Sequence, residues 1–260
     1  MKPESVTGTE PTIFDLNARR YAESPVHRSG PSLPVLLRLA QPGPGDIALD
    51  VATGTGHTAL AVAEYASEVI GLDVSSKMLA EARRLATEQG RENVRFVEGS
   101  AEALPFPDNH FTLVTARHAP HHFRSVETFL AEVFRVLKGG GRFVIADQVS
   151  PTADDQAWID RWEIIRDPSH VTQRTPEAWR ELAAKAGFVH RESVGVFYDL
   201  EFVWWTRQAS ATPEQIAALQ KHARVAPPET ARRVNLVFDE AGNVRSHKLP
   251  MLVARFDKAA

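Results

Sequence analysis

From Asp46 to Asp147 the chain alternates short, unbroken apolar runs with stretches whose apolar residues recur at steps of three and four. The runs IALDV (47–51), VIGLD (69–73), VRFVEG (94–99), FTLVTAR (111–117) and GRFVIAD (141–147) are too short for helices. They read as strands, IALDV as a buried one, and their alternation with helices implies a parallel sheet covered on both faces. Between them, sequence from about His57 to Ala66 predicts a helix, and Met78, Ala82, Leu85 and Ala86 trace one face of a second, with Ser75 or Ser76 as its cap. Val126, Phe129, Leu130, Val133 and Val136 trace a third, capped by Ser125, and Gly139 is placed to end it in the left-handed conformation. Strands alternating with helices predict an α/β fold: a doubly wound, mostly parallel, Rossmann-like sheet covered on both faces.

Either side of this region the pattern changes. TIFDLNARRYAES predicts a helix, and SLPVLLRLAQPGPGD a short one stopped by its Pro-Gly and Gly-Pro steps. After Asp147, DDQAWIDRWEIIR puts Trp158, Trp162 and Ile165 on one helical face. TPEAWRELAAKAG has Thr175 as cap, Pro176 at the first helical position and Gly187 as stop, and TPEQIAALQKHA repeats that start. FVHRESVGVFYD (188–199) predicts a strand, and VNLVFDEAGNVRSHKLPMLVARF two strands joined near 240–243 that return to the sheet as antiparallel edge members. The expected organisation is a helical cover over 1–45, a cofactor-binding core over 46–150, and a helical insertion with C-terminal strands over 151–260 that completes the same seven-stranded domain.

Composition narrows the function classes. A formal charge of −3 and a pI near 6.4 argue against a protein built to grip nucleic acid. No apolar run is long enough to span a membrane, and MKPESVTGTEPTIFD lacks the apolar stretch of a secretory signal, so a cytoplasmic protein is expected. The absence of cysteine excludes disulfides, thiolate zinc sites and cysteine-held iron–sulfur clusters.

The candidate chemistry begins at LDVATGTGHTALAV (49–62), where a strand ends in Asp50 and a Gly54-x-Gly56 turn leads into alanine-rich helix. Asp73, at the end of the second strand, stands where a ribose-binding acid belongs, since a carboxylate can accept from two vicinal hydroxyls. These residues fit either a dinucleotide or an adenosyl sulfonium. Asp50 favours the second, because a carboxylate beside a helix N-terminus opposes a pyrophosphate but complements an ammonium.

DVATGTG, VIGLDVSSKMLAEAR, VRFVEGSAEALPFPDNHFTLVTARHAPHHF and EVFRVLKGGGRFVIAD together resemble class I S-adenosylmethionine-dependent methyltransferases. Within these they are similar to the branch that includes the ubiquinone/menaquinone-biosynthesis C-methyltransferases, and the segment from RDPSHV onward resembles a less characterised bacterial subgroup. The resemblance covers roughly residues 46–150 and implies S-adenosyl-L-methionine as cofactor. It implies that Asp50, Gly54 and Gly56 surround the methionyl part, that Asp73 takes the ribose hydroxyls, and that Val74 and Met78 pack by the adenine. Ser100, Ala101 and Glu102 would line the adenine edge, with Arg117 and His118 closing the pocket. Ala52 replaces a glycine that many relatives carry, which is acceptable if it keeps a negative φ. Ser100 stands where many carry Asp, which would weaken a contact with the adenine amino group.

Methyl transfer needs a base only if the nucleophile must lose a proton, and histidine suits that role. His121 and His122, just past the fourth strand, and His170 in RDPSH are the catalytic candidates. Against them stand a packing or capping role for the first two, and for His170 a loop held by Arg166 and Asp167. Three histidines in RHAPHHF suggest a metal at first sight, but no carboxylate lies at ligand spacing, so none is expected. Tyr21 and His27 belong to the N-terminal cover and, with Trp158 and Trp162, are the candidate substrate contacts; the aromatic residues point to an apolar or aromatic small-molecule acceptor, unless they belong to the core. A nicotinamide-dependent oxidoreductase and a cofactor-binding protein without transferase activity are the rival readings. Asp50 and the lack of a Tyr-x-x-x-Lys pair count against the first.

Overall fold

The computed structural model describes residues 13–260; the first twelve residues of the expected helical cover lie outside them. The predicted parallel strands are β1 (Ile47–Val51), β2 (Glu68–Asp73), β3 (Val94–Glu98), β4 (Phe111–Arg117) and β5 (Leu137–Gln148). Two long strands follow, β6 (Phe188–Glu201) and β8 (Val244–Lys258), with the two-residue β7 (Val237–Phe238) paired to β8. The order is β3-β2-β1-β4-β5-β8-β6, with β7 as an eighth strand off this path. β8 is antiparallel to β5 and to β6, so the last strand of the chain lies inside the sheet and β6 forms the edge. Successive strands run outward from β1 in one direction and from β4 in the other, so the crossovers diverge there and leave a crevice beyond the carboxyl ends of both strands.

Eleven helices pack around this sheet among the described residues: α1 (Ile13–Glu23), α2 (Pro25–Ser29), α3 (Ser32–Ala40), α4 (His57–Val62), α5 (Ser76–Glu88), α6 (Val126–Val136), α7 (Ala153–Arg166), α8 (Pro176–Lys185), α9 (Phe202–Gln208), α10 (Pro213–Arg224) and α11 (Pro228–Arg233). Their starts follow local chemistry. The side chains of Ser75, Ser125, Thr175 and Thr212 each accept a hydrogen bond from a backbone N–H in the first turn, satisfying a donor that the helix itself cannot. The predicted role of Gly139 is corrected: α6 ends at Val136 and passes straight into β5, and Gly140 (φ +74°) takes the left-handed conformation.

One sheet face is closed by α6 and α8, with Phe129, Leu130, Val133 and Trp179 fully buried, and the other by α3, α4 and α5 through Leu36, Leu60 and Leu79. A third cluster buries Trp158 and Trp162, the expected substrate contacts, among other aromatic residues. Trp158 stacks on Trp162 (centroids 5.5 Å) and Trp162 on Trp205 (5.0 Å), closed by Phe202, Leu219 and Met251. Burial of rings this size contributes on the order of 3 kcal/mol each, which is enough to explain them as core. α1 and α2 fold back over the crevice, and α3 then runs onto the sheet. Ser75 Oγ donates to Asp15 (2.6 Å), His57 Nε2 meets the Ala22 carbonyl (3.1 Å), and Ser32 Oγ meets the Tyr198 hydroxyl (2.7 Å). Gly30 is required there, because a Cβ would come within 2.4 Å of the Tyr198 ring.

Candidate functional site

A cavity of about 720 Å³ occupies the crevice, of a size that encloses a nucleoside-sized ligand with room to spare. Its floor is the chain leaving β1, β2 and β4, its roof is α1 and α2, and its far wall is the Pro168–Val171 loop. Two non-glycine residues at the floor have left-handed backbone, Ala52 (φ +52°) after β1 and His118 (φ +56°) after β4. Strain of this kind survives where the surrounding structure holds it, and it collects at functional sites. The expected negative φ at Ala52 is therefore corrected: the chain turns so sharply after β1 that Thr53 N can reach the Leu72 carbonyl (2.9 Å). Left-handed alanine costs about 1–2 kcal/mol, and glycine would give back about 0.5–1 kcal/mol in unfolded-chain entropy. Ala52→Gly is expected to raise stability by about 1 kcal/mol in urea denaturation; a loss would show that the Ala52 methyl makes contacts worth more than the strain.

Two buried carboxylates face the cavity from neighbouring strands. Asp50 accepts from Thr53 Oγ1 (2.6 Å) and Thr115 Oγ1 (2.7 Å), and burial still pushes its carboxyl up to about 6. Asp73 accepts from Gly54 N through Oδ2 (2.8 Å) and from Ser75 N through Oδ1 (2.9 Å). Burial raises it as well, against the pull of those amides. Gly54 (φ +55°) opens onto the cavity, with nothing within 4 Å of where a Cβ would stand. Gly56, expected beside the methionyl group, does not: its Cβ position lies 3.0 Å from Ala82 and Phe96, so the absence of a side chain serves helix packing, and it is not among the residues that line the cavity. Arg117 supplies the opposing charge. Its Nε donates to Thr58 Oγ1 (2.8 Å) and its Nη2 to the His27 carbonyl, and Tyr198 gives the guanidinium a further hydrogen-bonding neighbour.

The histidines divide by what their nitrogens do. His118 Nε2 lies 3.2 Å from the Tyr198 hydroxyl, and its ring packs against His27 (5.5 Å), which packs on Tyr21 (4.7 Å). His122 lines the cavity with its ring edge-to-face on Phe14 (5.0 Å). His121 lies behind it, outside the cavity wall, with Nδ1 2.6 Å from Asp147 Oδ1. Burial pushes Asp147 up to about 7 and His121 well down. The His170 side chain is only 1% exposed, with Nε2 on Asp160 Oδ1 (2.9 Å). No group of three His, Cys, Asp or Glu that could hold a metal comes together among the described residues.

Comparison with known proteins gives this arrangement its context. The sequence profile described as "Methyltransferase domain" matches residues 49–145. The chain is 31% identical over 237 residues to the uncharacterized methyltransferase YcgJ of Bacillus subtilis, an alignment covering 90% of this chain and 93% of that one. The crystal structure of YcgJ superposes with a TM-score of 0.85 at 30% identity, over 88% of this chain and 98% of that one. The chain belongs to the class I S-adenosylmethionine-dependent methyltransferases. Its core is also 48% identical over 105 residues to the demethylmenaquinone methyltransferase of Thermus thermophilus, covering 40% of this chain and 47% of that enzyme, in keeping with the ubiquinone/menaquinone-like branch.

For this methyltransferase, the residues singled out from the sequence gather round one cavity: Asp50, Ala52, Gly54, Asp73, Val74, Met78, Ser100, Ala101, Glu102, Arg117, His118, Tyr21, His27, His122 and His170 all line it. Val74 stands at the rim, 62% exposed, and Met78 is buried beneath. Gly56, His121, Trp158 and Trp162 do not line it. The structure adds Phe14, Thr58, Phe123 and Ser169. Phe14 had a signal, since it stands two helical turns before Tyr21 and shares its face. Thr58 had none, because its role depends on an arginine 59 positions away.

Proposed function

We propose that this methyltransferase binds S-adenosylmethionine in the crevice and transfers its methyl group to a small apolar or aromatic metabolite. One observation carries the choice of cofactor: the Gly54 amide, which a dinucleotide site would turn toward pyrophosphate, is bonded to Asp73 Oδ2. With a second carboxylate, Asp50, close by, the turn suits a cationic ligand and opposes a phosphate. The residues fit the sulfonium nucleoside. Asp50 is placed for the ammonium, Arg117 for the methionyl carboxylate, and Asp73 for the ribose hydroxyls. Met78, Ala101 and Val74 supply apolar surface for the adenine, beside Ser100 and Glu102.

The bound cofactor brings a methyl carbon already activated by positive sulfur, so the protein's work is placement. Holding two reactants close and aligned can be worth about 7–11 kcal/mol. On the acceptor side, Phe14, Tyr21, His27 and Phe123 make an aromatic wall. Burial pushes Tyr21 up to about 12 and His27 down to about 3, so both are neutral near pH 7 and favour an uncharged acceptor. Phe14 and Tyr21 come from α1 and His27 from α2, the two helices that roof the cavity. Calorimetric titration tests the reading: S-adenosylhomocysteine is expected to bind one site per chain and NAD not at all. Binding of NAD with no binding of S-adenosylhomocysteine would overturn it.

A further inference from the structure

We infer that His122 takes a proton from the methyl acceptor, that Ser169 and Asp167 position it for this, and that the acceptor is accordingly a phenol or enol. The inference rests on the methyltransferase reading of the cavity. His122 Nδ1 lies 3.1 Å from the Ser169 carbonyl oxygen and 3.1 Å from Ser169 Oγ. A carbonyl can only accept, so Nδ1 carries the hydrogen and Nε2 holds the lone pair. Nε2 has no hydrogen-bond partner among the described residues, in a ring that lines the cavity.

Ser169 is fixed in turn. Its backbone N (2.9 Å) and its Oγ (2.6 Å) both donate to Asp167 Oδ1, a carboxylate only 1% exposed. Because Oγ gives its hydrogen to Asp167, it faces His122 as an acceptor. The loop is tied to the histidine turn from the other side, where Val171 N (3.0 Å) and Thr172 N (3.2 Å) both donate to the His121 carbonyl. A buried carboxylate thus reaches the imidazole through one serine. Burial and the neighbouring His121 push His122 down to about 3, so it is neutral at pH 7 with its lone pair available, and the Asp167 charge offsets part of that shift.

The neighbouring histidines are less suited. His121 spends Nδ1 on Asp147 outside the cavity wall; His170 spends Nε2 on Asp160, and its unpartnered Nδ1 is sealed off in a side chain only 1% exposed. An acceptor that arrived already ionised would find little to balance it at this end, since Arg166 is paired with Glu163 (3.0 Å) and Arg124 is exposed at the rim. In the step, the acceptor's O–H proton passes to His122 Nε2 while its oxygen bonds to the methyl carbon. The methyl–sulfur bond breaks with its electron pair on sulfur, and the proton then leaves the imidazolium for solvent.

The test uses the whole chain saturated with S-adenosylhomocysteine and two probes that differ only in the proton, 2-naphthol and its methyl ether. The wild-type protein is expected to bind the naphthol about tenfold more tightly, the scale of one hydrogen bond in a dry site. His122→Phe and Asp167→Ala should abolish that preference while leaving affinity for S-adenosylhomocysteine unchanged. In a long-range nitrogen–proton NMR spectrum, wild-type His122 should carry its hydrogen on Nδ1. Asp167→Asn keeps an acceptor for Ser169 N and should retain that tautomer if Asp167→Ala fails to fold. Equal binding of the two probes, binding of neither, an unchanged preference in His122→Phe, or a hydrogen on Nε2 would each overturn the inference. Failure of S-adenosylhomocysteine itself to bind would instead overturn the reading on which it rests.

Discussion

Asp50→Asn is expected to stabilise the ligand-free protein above pH 6 while weakening its grip on the cofactor. Burial lifts the Asp50 carboxyl from 3.8 to about 6 in the folded chain. A group whose folded pKa is raised contributes stability that is complete below its unfolded pKa and is lost as pH rises through the folded one. The window is therefore about pH 4–6, and the gap amounts to about 3 kcal/mol of strain from a buried charge at neutral pH. Asparagine cannot ionise, and its amide can still meet the hydroxyls of Thr53 and Thr115, which are free to rotate. In urea denaturation the variant should gain on the wild type between pH 4 and 6, with a constant margin above that. The same change removes a charged partner for the ammonium, so the dissociation constant for S-adenosylhomocysteine should rise by about 10- to 100-fold. A stability difference that does not vary with pH would show that Asp50 does not ionise in this window. Unchanged affinity would take it out of the site.

The second large effect is expected at Asp73. Replacement by alanine should weaken cofactor binding by about 1–3 kcal/mol, the range for lost hydrogen bonds to a charged group. Asp73 also holds Gly54 N and Ser75 N, so alanine removes two internal partners along with any contact to ribose. Asp73→Asn separates these roles, because its amide oxygen can keep one of the two amides. If Asp73 takes both ribose hydroxyls, asparagine should also weaken binding, since one of its two atoms can no longer accept. Wild-type affinity in the asparagine variant, with a loss only in alanine, would make Asp73 a support for the glycine turn and nothing more.

Both effects arise from residues that stood out in the linear sequence, and the reason is local. Asp50 and Asp73 sit at the ends of strands whose apolar runs are unmistakable, and the end of a parallel strand faces the crevice whatever else the chain does. Helix starts were legible for a similar reason: a serine or threonine cap acts within three residues, so Ser75, Ser125, Thr175 and Thr212 could be placed without knowing their neighbours. Where such reasoning failed, the deciding partner was distant. Ala52 takes positive φ because of a hydrogen bond to β2, and Gly56 is claimed by Phe96 on β3. Trp158 and Trp162 show the limit of composition: an aromatic helical face fits a pocket or a core equally, and Trp205 and His222 settled it as core.

The histidines mark the same boundary most clearly. From RHAPHHF alone, His121 and His122 are adjacent and equivalent, yet one is locked to Asp147 and the other opens onto the cavity. Their difference comes from Asp147 on β5, which takes His121 Nδ1, and from Ser169 in the 168–171 loop, which takes His122 Nδ1. By itself, then, the sequence determined the α/β architecture and the two carboxylates flanking a glycine turn, because periodicity and strand ends act over a few residues. The tertiary structure alone decided which of the two adjacent imidazoles lines the cavity and which aromatic rings face it, because hydrogen bonds and burial depend on partners scores of residues away.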